Sequence, residues 1–341
     1  MRASLEALLA SRDWLLADGA TGTTLFDMGL EAGEAPELWN VDAPDKVRDL
    51  YRGAVEAGSD LFLTNSFGGT AARLKLHHAE GRVHEVNRAA AALAREVADA
   101  ADRPVVVAGS MGPTGEILEP VGQLTIEDAA AMFEAQARGL LDGGADVLWV
   151  ETISAPEELQ AAALAIGRVE APWCCTMSFD TAGRTMMGVT SSDMVTIVSD
   201  LAPPPLAFGA NCGVGAADLL RTVRGMNLAG ATLPLIAKGN AGVPRFVGGH
   251  VHYDGTPELM ADYAELARAC GARIIGGCCG TGPAHLRAMR ARLEAIDQPA
   301  QVPELETLAA RLGAFSSDTD GTGAPVQGRP RRRRRAQNND S

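Results

Sequence analysis

The 341-residue chain has few aromatic residues and no apolar run of transmembrane length. Aromatic side chains make up 4% of the residues, so a site built from several rings, such as a cage for a quaternary ammonium group, has little material to draw on. No apolar stretch approaches the roughly 20 residues that cross a bilayer, and no basic segment followed by an apolar h-region opens the chain. We therefore expect no membrane association.

The cysteines are too few and too unevenly spaced for a disulfide framework in a chain of this size. Two pairs are adjacent in sequence, and the full set is Cys174, Cys175, Cys212, Cys270, Cys278 and Cys279. Reduced thiols fit this pattern better. The expected compartment is a reducing one, the cytoplasm.

Basic charge is scarce outside the C-terminus. The net charge is −13, and without the six arginines of residues 329–335 it would be −19. A basic stripe on a folded surface is typical of nucleic-acid binding, whereas a terminal arginine run is more typical of a solvated tail. We expect no nucleic-acid partner, and we expect a disordered basic tail over residues 316–341, where there is almost nothing apolar to bury.

Short apolar or β-branched runs alternate with longer amphipathic segments along the rest of the chain, as in repeated βα units around a parallel sheet. The eight predicted strands are 14–18, 60–64, 104–108, 146–151, 173–178, 206–211, 233–238 and 273–277. The eight predicted helices are 44–57, 81–101, 125–142, 155–168, 192–201, 216–226, 257–269 and 283–296.

This count predicts a single (β/α)₈ barrel of the α/β class over residues 1–300, followed by a short extension over 301–315 and then the tail. A doubly wound open sheet is the alternative, but it would more usually have five to seven strands and a nucleotide-binding fingerprint after the first.

Almost every unusual polar side chain lies just after one of the predicted strands. They are Asp18, Asn65, Ser110, Glu151, Asp180, Cys212, Lys238, Asn240, Cys278 and Cys279. In (β/α)₈ barrels the reacting groups lie at the carboxyl ends of the strands, so one mouth would collect all of these residues.

Residues 276–281 read GGCCGT and contain two adjacent cysteines. On a strand their side chains would point to opposite sides, but flanking glycines allow a corner that turns both sulfurs toward one point. Two thiolates at one point indicate a soft metal such as zinc, and a catalytic zinc needs a third protein ligand. Cys212, in a similar glycine-rich corner, is the best candidate. The alternative is three buried free cysteines that act as small apolar residues, and we assign that packing role to Cys174 and Cys175.

These two cysteine segments, GANCG at 209–213 and GGCCGT at 276–281, resemble the zinc-binding signature of the homocysteine S-methyltransferase family. The family includes betaine–homocysteine methyltransferase and the homocysteine domain of cobalamin-dependent methionine synthase. Further matching stretches, in family order, are DGATGT at 18–23, TNSF at 64–67, GSMGPTG at 109–115, ET at 151–152, GRT at 183–185 and NAG at 240–242. The resemblance extends from about residue 14 to about residue 289.

The resemblance implies an enzyme that methylates homocysteine to methionine, with Zn²⁺ bound by Cys212, Cys278 and Cys279. It also implies that Asp18, Gly19, Glu151 and Asn211 bind homocysteine. The residues themselves agree with this chemistry, because zinc held by three thiolates is a weak electrophile that favours binding and activating a fourth thiol. Glu151, which ends an apolar strand, is the best partner for the substrate ammonium group, and its alternative role is a salt bridge to a neighbouring Lys or Arg.

The methyl donor is left open by the sequence. The resembled betaine enzymes place tyrosines after the second-strand phenylalanine and the fourth-strand glutamate, where this chain has Gly68 and Thr152. Trp39 and Phe67 remain candidates for part of a cage. We therefore favour a methylcorrinoid carried by a partner protein, with betaine used by the chain alone as the alternative and a purely structural zinc as a third possibility. A homo-oligomer is compatible with the sequence, which does not fix the oligomeric state.

Overall fold

A computed structural model describes residues 2–247, 250–298 and 300–321. Most of the predicted tail, residues 322–341, lies outside the described residues. None of the helices in the described part of the chain combines the length and the apolarity that crossing a membrane requires.

The described chain alternates strands and helices as the sequence pattern predicts. The strands are β1 Leu15–Leu16, β2 Leu61–Leu63, β3 Val106–Met111, β4 Val147–Ile153, β5 Trp173–Met177, β6 Ala207–Cys212, β7 Leu235–Gly239, β8 Arg245–Val247, β9 His250–His252 and β10 Ala272–Gly277. The helices are α1 Leu5–Ser11, α2 Gly22–Asp27, α3 Trp39–Asp42, α4 Pro44–Glu56, α5 Ala71–Leu74, α6 Val83–Ala100, α7 Ile126–Asp142, α8 Pro156–Val169, α9 Ser191–Ser199, α10 Ala216–Leu228, α11 Pro257–Ala269, α12 Pro283–Glu294 and α13 Leu305–Leu312.

Eight of the strands form one parallel sheet in the order β1-β10-β7-β6-β5-β4-β3-β2, and the prediction of an α/β barrel is confirmed. Each predicted strand and helix is present, with ends that differ by a few residues. The prediction omitted α1, the short helices α2, α3 and α5, the antiparallel hairpin β8–β9 and α13. Most of these elements are shorter than three helical turns, and a periodic apolar pattern is weak over such lengths.

The join between β1 and β2 depends on two buried aspartates. The Asp60 N–H donates to the Leu16 carbonyl at 2.7 Å, and the Leu16 N–H donates to Asp60 Oδ2 at 2.9 Å. Further toward the carboxyl ends of the two strands, the Leu63 N–H donates to Asp18 Oδ2 at 2.8 Å. Because β1 is only two residues long, these carboxylates supply acceptors that a longer strand would provide from its backbone.

Side chains pack on both faces of the sheet. Inside the barrel, strand residues such as Trp149 and Cys174 form an apolar cluster with α1, which covers the end opposite the strand carboxyl ends. Cys175 belongs instead to the larger cluster between the strands and the outer helices. The predicted packing role of both cysteines is confirmed, and their opposite directions follow from the alternation of side chains along a strand.

The chain after the barrel packs against its outside and then runs along α10. The Phe315 ring lies 4.5 Å from the Arg221 guanidinium carbon, and the Ser316 N–H donates to Asp218 Oδ2 at 3.0 Å. Arg221 Nη1 also donates to the Ser317 carbonyl at 2.8 Å. Ser316 and Ser317, which the sequence pattern assigns to the tail, therefore contact α10. These contacts require partners on α10, which the composition of the tail alone does not reveal.

Candidate active site

Three cysteine sulfurs meet at the carboxyl ends of the strands. Cys212 is the last residue of β6, and Cys278 and Cys279 directly follow β10. All three sulfurs lie within 4.8 Å of one another, and the Cys212 and Cys279 sulfurs are 3.8 Å apart. Cys212 has a left-handed backbone (φ 59°), which is unusual for a residue with a side chain and indicates that its surroundings hold it in place.

The corner that carries the cysteine pair is fixed by the neighbouring strand β7. The Cys278 N–H donates to the Gly239 carbonyl at 2.7 Å, and the Cys279 N–H donates to Asn240 Oδ1 at 3.1 Å. A side chain at Gly277 would collide with Thr281, because a Cβ there would lie 2.2 Å from the Thr281 methyl group. Glycine at 277 therefore lets the chain fold back tightly enough to present both sulfurs.

The donor set fits a thiolate-bound metal. Two sulfurs bound at about 2.3 Å to a tetrahedral zinc are about 3.8 Å apart, which is the separation of the Cys212 and Cys279 sulfurs. Hydrogen bonds from Cys212 and Cys278, the two largest influences, together with one from Tyr253, lower the pKa of Cys279. One member of the cluster thus becomes a thiolate readily, and metal binding requires the deprotonated form.

Two charged side chains that are far apart in the sequence, Lys238 and Asp18, form a buried ion pair near the cysteines. Lys238 lies at the end of β7, and Asp18 follows β1. Lys238 Nζ donates to Asp18 Oδ1 at 2.5 Å. Burial, the largest single influence, favours the neutral amine, but the charges of Asp18 and Glu151 outweigh it and raise the pKa of Lys238. Lys238 therefore stays an ammonium ion, and it compensates part of the negative charge in the site.

Glu151, on β4, is a buried carboxyl with a hydroxyl partner. Ser110 Oγ donates to Glu151 Oε1 at 2.5 Å. Burial raises the pKa of Glu151 to about 7, against the opposing charge of Lys238. Among the described residues Glu151 forms no ion pair within 4.0 Å. Lys238, whose positive charge acts on Glu151, forms its ion pair with Asp18 instead. The salt-bridge alternative for Glu151 is therefore wrong for the described residues.

Asn211 connects three strands behind the cysteine cluster. Its Oδ1 accepts from the Thr152 N–H at 2.9 Å and from the Thr176 hydroxyl at 2.7 Å. Its Nδ2 donates to Thr152 Oγ1 at 2.8 Å and lies 4.0 Å from the Cys278 sulfur. Asn211 thus fixes the residue after Glu151, and it lies outside the lining of the cavity described next.

The cysteines and the carboxylates open into one cavity of about 260 Å³ at the mouth of the barrel. Of the residues predicted to form the site, Asp18, Gly19, Glu151 and the three cysteines line it. The other lining residues are Ala20, Thr21, Gly22, Pro36, Glu37, Leu63, Thr64, Asn65, Phe67, Ser110, Thr152 and Lys238. The cavity is close to the lower end of the volumes usual for small-molecule sites.

Glu37 is a lining residue that the sequence pattern missed. It belongs to a single 3-10 turn in the connection after β1. The Gly68 N–H donates to Glu37 Oε1 at 2.6 Å, and burial raises the pKa of the Glu37 carboxyl. Its only sequence signal is a carboxylate after Pro36 in a long connection, and such a carboxylate is usually solvated.

Comparison with known proteins agrees with this geometry. Residues 15–293 match the family model described as homocysteine S-methyltransferase. A methionine synthase from Mycobacterium tuberculosis is 31% identical over 316 residues, which are 87% of this chain and 26% of that protein. The chain thus spans about a quarter of the length of this relative.

Solved structures of the homocysteine methyltransferase MmuM from Escherichia coli are also similar. The metallated form has 28% identity and a TM-score of 0.70, and the oxidized form has 28% identity and a TM-score of 0.69. Each comparison covers 84% of this chain and 99% of the other. From the family match over residues 15–293, this chain belongs to the homocysteine S-methyltransferase family.

Proposed function

We propose that the chain is a zinc-dependent homocysteine S-methyltransferase that produces methionine. The observation that carries the proposal is the cluster of Cys212, Cys278 and Cys279 in one cavity with two buried carboxylates. Three thiolates leave one position of a tetrahedral zinc for a fourth ligand. That ligand would be the substrate thiol.

The chain's own residues account for binding and orientation of an amino-acid thiol. Glu151, in its ionised form, would accept hydrogen bonds from the substrate ammonium group, and the Ser110 hydroxyl holds the carboxylate in place. Asp18 and Gly19 line the same cavity, and Lys238 holds the Asp18 carboxylate in place. Zinc, when bound, would lower the pKa of the substrate thiol so that it is a thiolate at neutral pH.

The reaction is a displacement at carbon. The homocysteine sulfur forms a bond to the methyl carbon, the bond from that carbon to the donor breaks, and the donor keeps the electron pair. The thiol proton is lost to solvent before the attack, so the product is neutral methionine thioether. Nearby carboxylates and the low polarity of the buried walls favour a single orientation of the substrate.

A methylcorrinoid on a partner protein is the donor that we favour. Phe67 is the one aromatic side chain among the described residues that line the cavity. Trp39, the other candidate for a cage, is buried in a separate apolar cluster, where Lys46 Nζ lies 4.2 Å from the centre of its ring. A single ring gives a quaternary ammonium ion little cation–π stabilisation.

Two other functions remain as alternatives. The first is a betaine–homocysteine methyltransferase that acts without a partner, with Phe67 and the Glu37 carboxylate next to the donor. The second is a barrel with a purely structural zinc, which would be closed to a fourth ligand. The cavity beside the three sulfurs favours the catalytic role over the structural one.

The test of this proposal is a titration of the purified chain with homocysteine after zinc or cobalt loading. A catalytic site binds the added thiol, which changes the thiolate-to-cobalt absorption and releases a proton. Cys279→Ser serves as the matched variant, and it should lose both signals. A loaded protein whose spectrum and proton count do not respond to homocysteine would have a structural site.

A further inference from the structure

Strand β3 continues past the end of its neighbour β2. The last residue pair that joins the two strands is Leu63 with Ala108, whereas β3 runs on to Met111. In the described chain β2 therefore offers no backbone partner to the Ser110 N–H and carbonyl, although Ser110 is buried. Buried backbone groups are costly when they are unpaired, so side chains have to supply the missing partners.

Two hydroxyl groups from the connection after β2 take the place of the missing strand. The Ser110 N–H donates to Thr64 Oγ1 at 3.0 Å, and the Ser66 hydroxyl donates to the Ser110 carbonyl at 2.7 Å. The Thr64 and Ser66 hydroxyl oxygens are 2.6 Å apart. Thr64, Ser66 and Ser110 thus form a closed ring of hydrogen bonds, which we call the hydroxyl ring, and all three residues are buried.

The direction of each hydrogen bond in the hydroxyl ring is fixed, because a hydroxyl has one proton to donate. The Ser66 proton goes to the Ser110 carbonyl, which can only accept, so the proton between Thr64 and Ser66 comes from Thr64. The ring is also anchored from outside, since Gln136 Nε2 donates to the Ser66 carbonyl at 2.6 Å. Ser110 is therefore held at both of its backbone groups in one arrangement.

Ser110 transmits this fixed geometry to the substrate site. Its own hydroxyl lies outside the ring and donates to Glu151 Oε1 at 2.5 Å. A hydrogen bond to the ionised form of a carboxyl group favours that form, and Glu151 has to be ionised to bind an ammonium group. The position of the Ser110 backbone therefore decides where the Glu151 carboxylate points and how readily it ionises.

We propose that Thr64 and Ser66 are positioning residues for recognition of the substrate ammonium group, and that they act through Ser110 on Glu151. The proposal rests on the proposed function, because it takes Glu151 as the partner of the homocysteine ammonium group. Thr64 itself lines the cavity, whereas Ser66 lies outside the lining. Ser66 can therefore influence the substrate only through its neighbours, and it gives the cleaner test.

The experiment compares the binding of two thiols to the cobalt-loaded full-length chain. Homocysteine carries the ammonium group, and 4-sulfanylbutanoate is the same thiol acid without it. Dissociation constants are measured from the thiolate-to-cobalt absorption at about pH 7, where Glu151 is partly protonated, and at about pH 9, where it is largely ionised. The variants are Thr64→Val, Ser66→Ala, Ser110→Ala and the double variant Ser66→Ala with Ser110→Ala. Ser66→Ala, the smaller change, decides the test if Thr64→Val does not fold.

Thr70→Val is the matched control. Thr70 lies in the same connection after β2 and is fully buried, and its hydroxyl has no hydrogen-bond partner among the described residues. The substitution therefore removes a buried hydroxyl and leaves the hydroxyl ring intact. The charged and titratable groups that act on Glu151 are the same in every variant, so they cancel when a variant is compared with the parent: Lys238, Asp18 and Cys278.

We expect Thr64→Val and Ser66→Ala each to weaken homocysteine binding about fivefold at about pH 7, because the Glu151 carboxylate loses a well-placed hydrogen bond and is protonated more of the time. The loss should shrink at about pH 9, and 4-sulfanylbutanoate should bind to these variants as it does to the parent. Ser110→Ala should show the same pattern, and adding Ser66→Ala to it should weaken binding no further. Thr70→Val should match the parent with both thiols.

Binding of homocysteine to Thr64→Val and Ser66→Ala as tight as to the parent would overturn the proposal and leave the proposed function standing. Equal weakening of both thiols would overturn it too, because the ring would then act on the metal or the cavity and not on Glu151. An additive loss in the double variant would show that Ser66 acts by a route other than Ser110. A parent that binds neither thiol would contradict the proposed function itself, and the positioning role would fail with it.

Discussion

Lys238 and Asp18 are separated by 220 positions in the sequence, yet Lys238 Nζ lies 2.5 Å from Asp18 Oδ1. Both side chains are buried. The other Asp18 oxygen accepts the Leu63 N–H and so connects β1 to β2. A single carboxylate therefore joins the first strand to the second and to the seventh, and it also lines the cavity. The closure of the barrel and the geometry of the site depend on the same ion pair.

We predict that Lys238→Met lowers the free energy of unfolding by about 3–5 kcal/mol, because it leaves a buried carboxylate without its partner. The double variant Asp18→Asn with Lys238→Met should lose less than the sum of the two single losses. Urea denaturation measures these values. Arg52→Ala is the control, since it removes an exposed ion pair with Asp49 and should cost less than about 1 kcal/mol. Additive losses would show that the two groups do not stabilise each other.

The positions of the barrel strands could be predicted because each one is a short apolar run that ends in a polar side chain. This pattern placed Cys212 and Cys278 at the same mouth without any distance information. The ion pair of Lys238 with Asp18 could not be predicted, because strand-end residues have many possible neighbours around a barrel. Glu37 was missed for a different reason: its burial depends on a 3-10 turn and on the Gly68 N–H, and neither leaves a periodic pattern.

Metal content provides a direct test of the ligand set. We expect one equivalent of zinc per chain, lost or strongly weakened in Cys212→Ala, Cys278→Ala and Cys279→Ala, because a structural or catalytic zinc needs these thiolates. Cys174→Ala should keep the metal, since Cys174 is buried within the barrel. Elemental analysis after gel filtration gives the stoichiometry. Zinc loss from Cys174→Ala together with retention in Cys212→Ala would mean that the site is elsewhere.

The raised pKa of Glu151 predicts a pH dependence of substrate binding. Burial raises this pKa to about 7, so the carboxylate that would bind the homocysteine ammonium group is increasingly protonated as the pH falls below 7. The KM for homocysteine should therefore rise toward acid pH and level off above about pH 8. Glu151→Gln should raise KM by about 10- to 100-fold, from the loss of a charge-assisted hydrogen bond, and should flatten the profile.

Glu158→Gln is the matched control for this measurement. Glu158 is also a buried carboxyl whose pKa is raised by burial, but it accepts from Thr114 and lies outside the cavity lining. The Glu158→Gln variant should leave the dependence of KM on pH unchanged. An unaltered profile in Glu151→Gln would assign the ionisation to another group.

Two truncations separate the C-terminal contacts from the rest of the tail. Ending the chain after Gly321 should leave the melting temperature and the zinc content unchanged, because residues 322–341 contain little that can be buried. Ending it after Leu312 removes the contacts of Phe315, Ser316 and Ser317 with α10, and we expect a loss of about 1–3 kcal/mol in the free energy of unfolding. Calorimetry of both chains measures the difference. Equal melting temperatures for the two truncated chains would show that the contacts with α10 do not stabilise the barrel.

The methyl donor gives the last prediction. With purified chain and homocysteine, methylcobalamin should yield methionine more readily than betaine, because Gly68 and Thr152 stand where the resembled betaine enzymes have aromatic rings. A Cβ on Gly68 would lie 2.9 Å from Glu37 Oε1, so a larger residue there could not be accommodated without moving the Glu37 carboxylate. Each cation–π contact contributes roughly 0.5–2 kcal/mol, and two missing rings therefore weaken betaine binding by about one to three decades. Methionine is measured by chromatography with each donor, and Cys279→Ser provides the blank. Rapid turnover with millimolar betaine and none with the corrinoid would reverse the donor assignment and leave homocysteine as the acceptor.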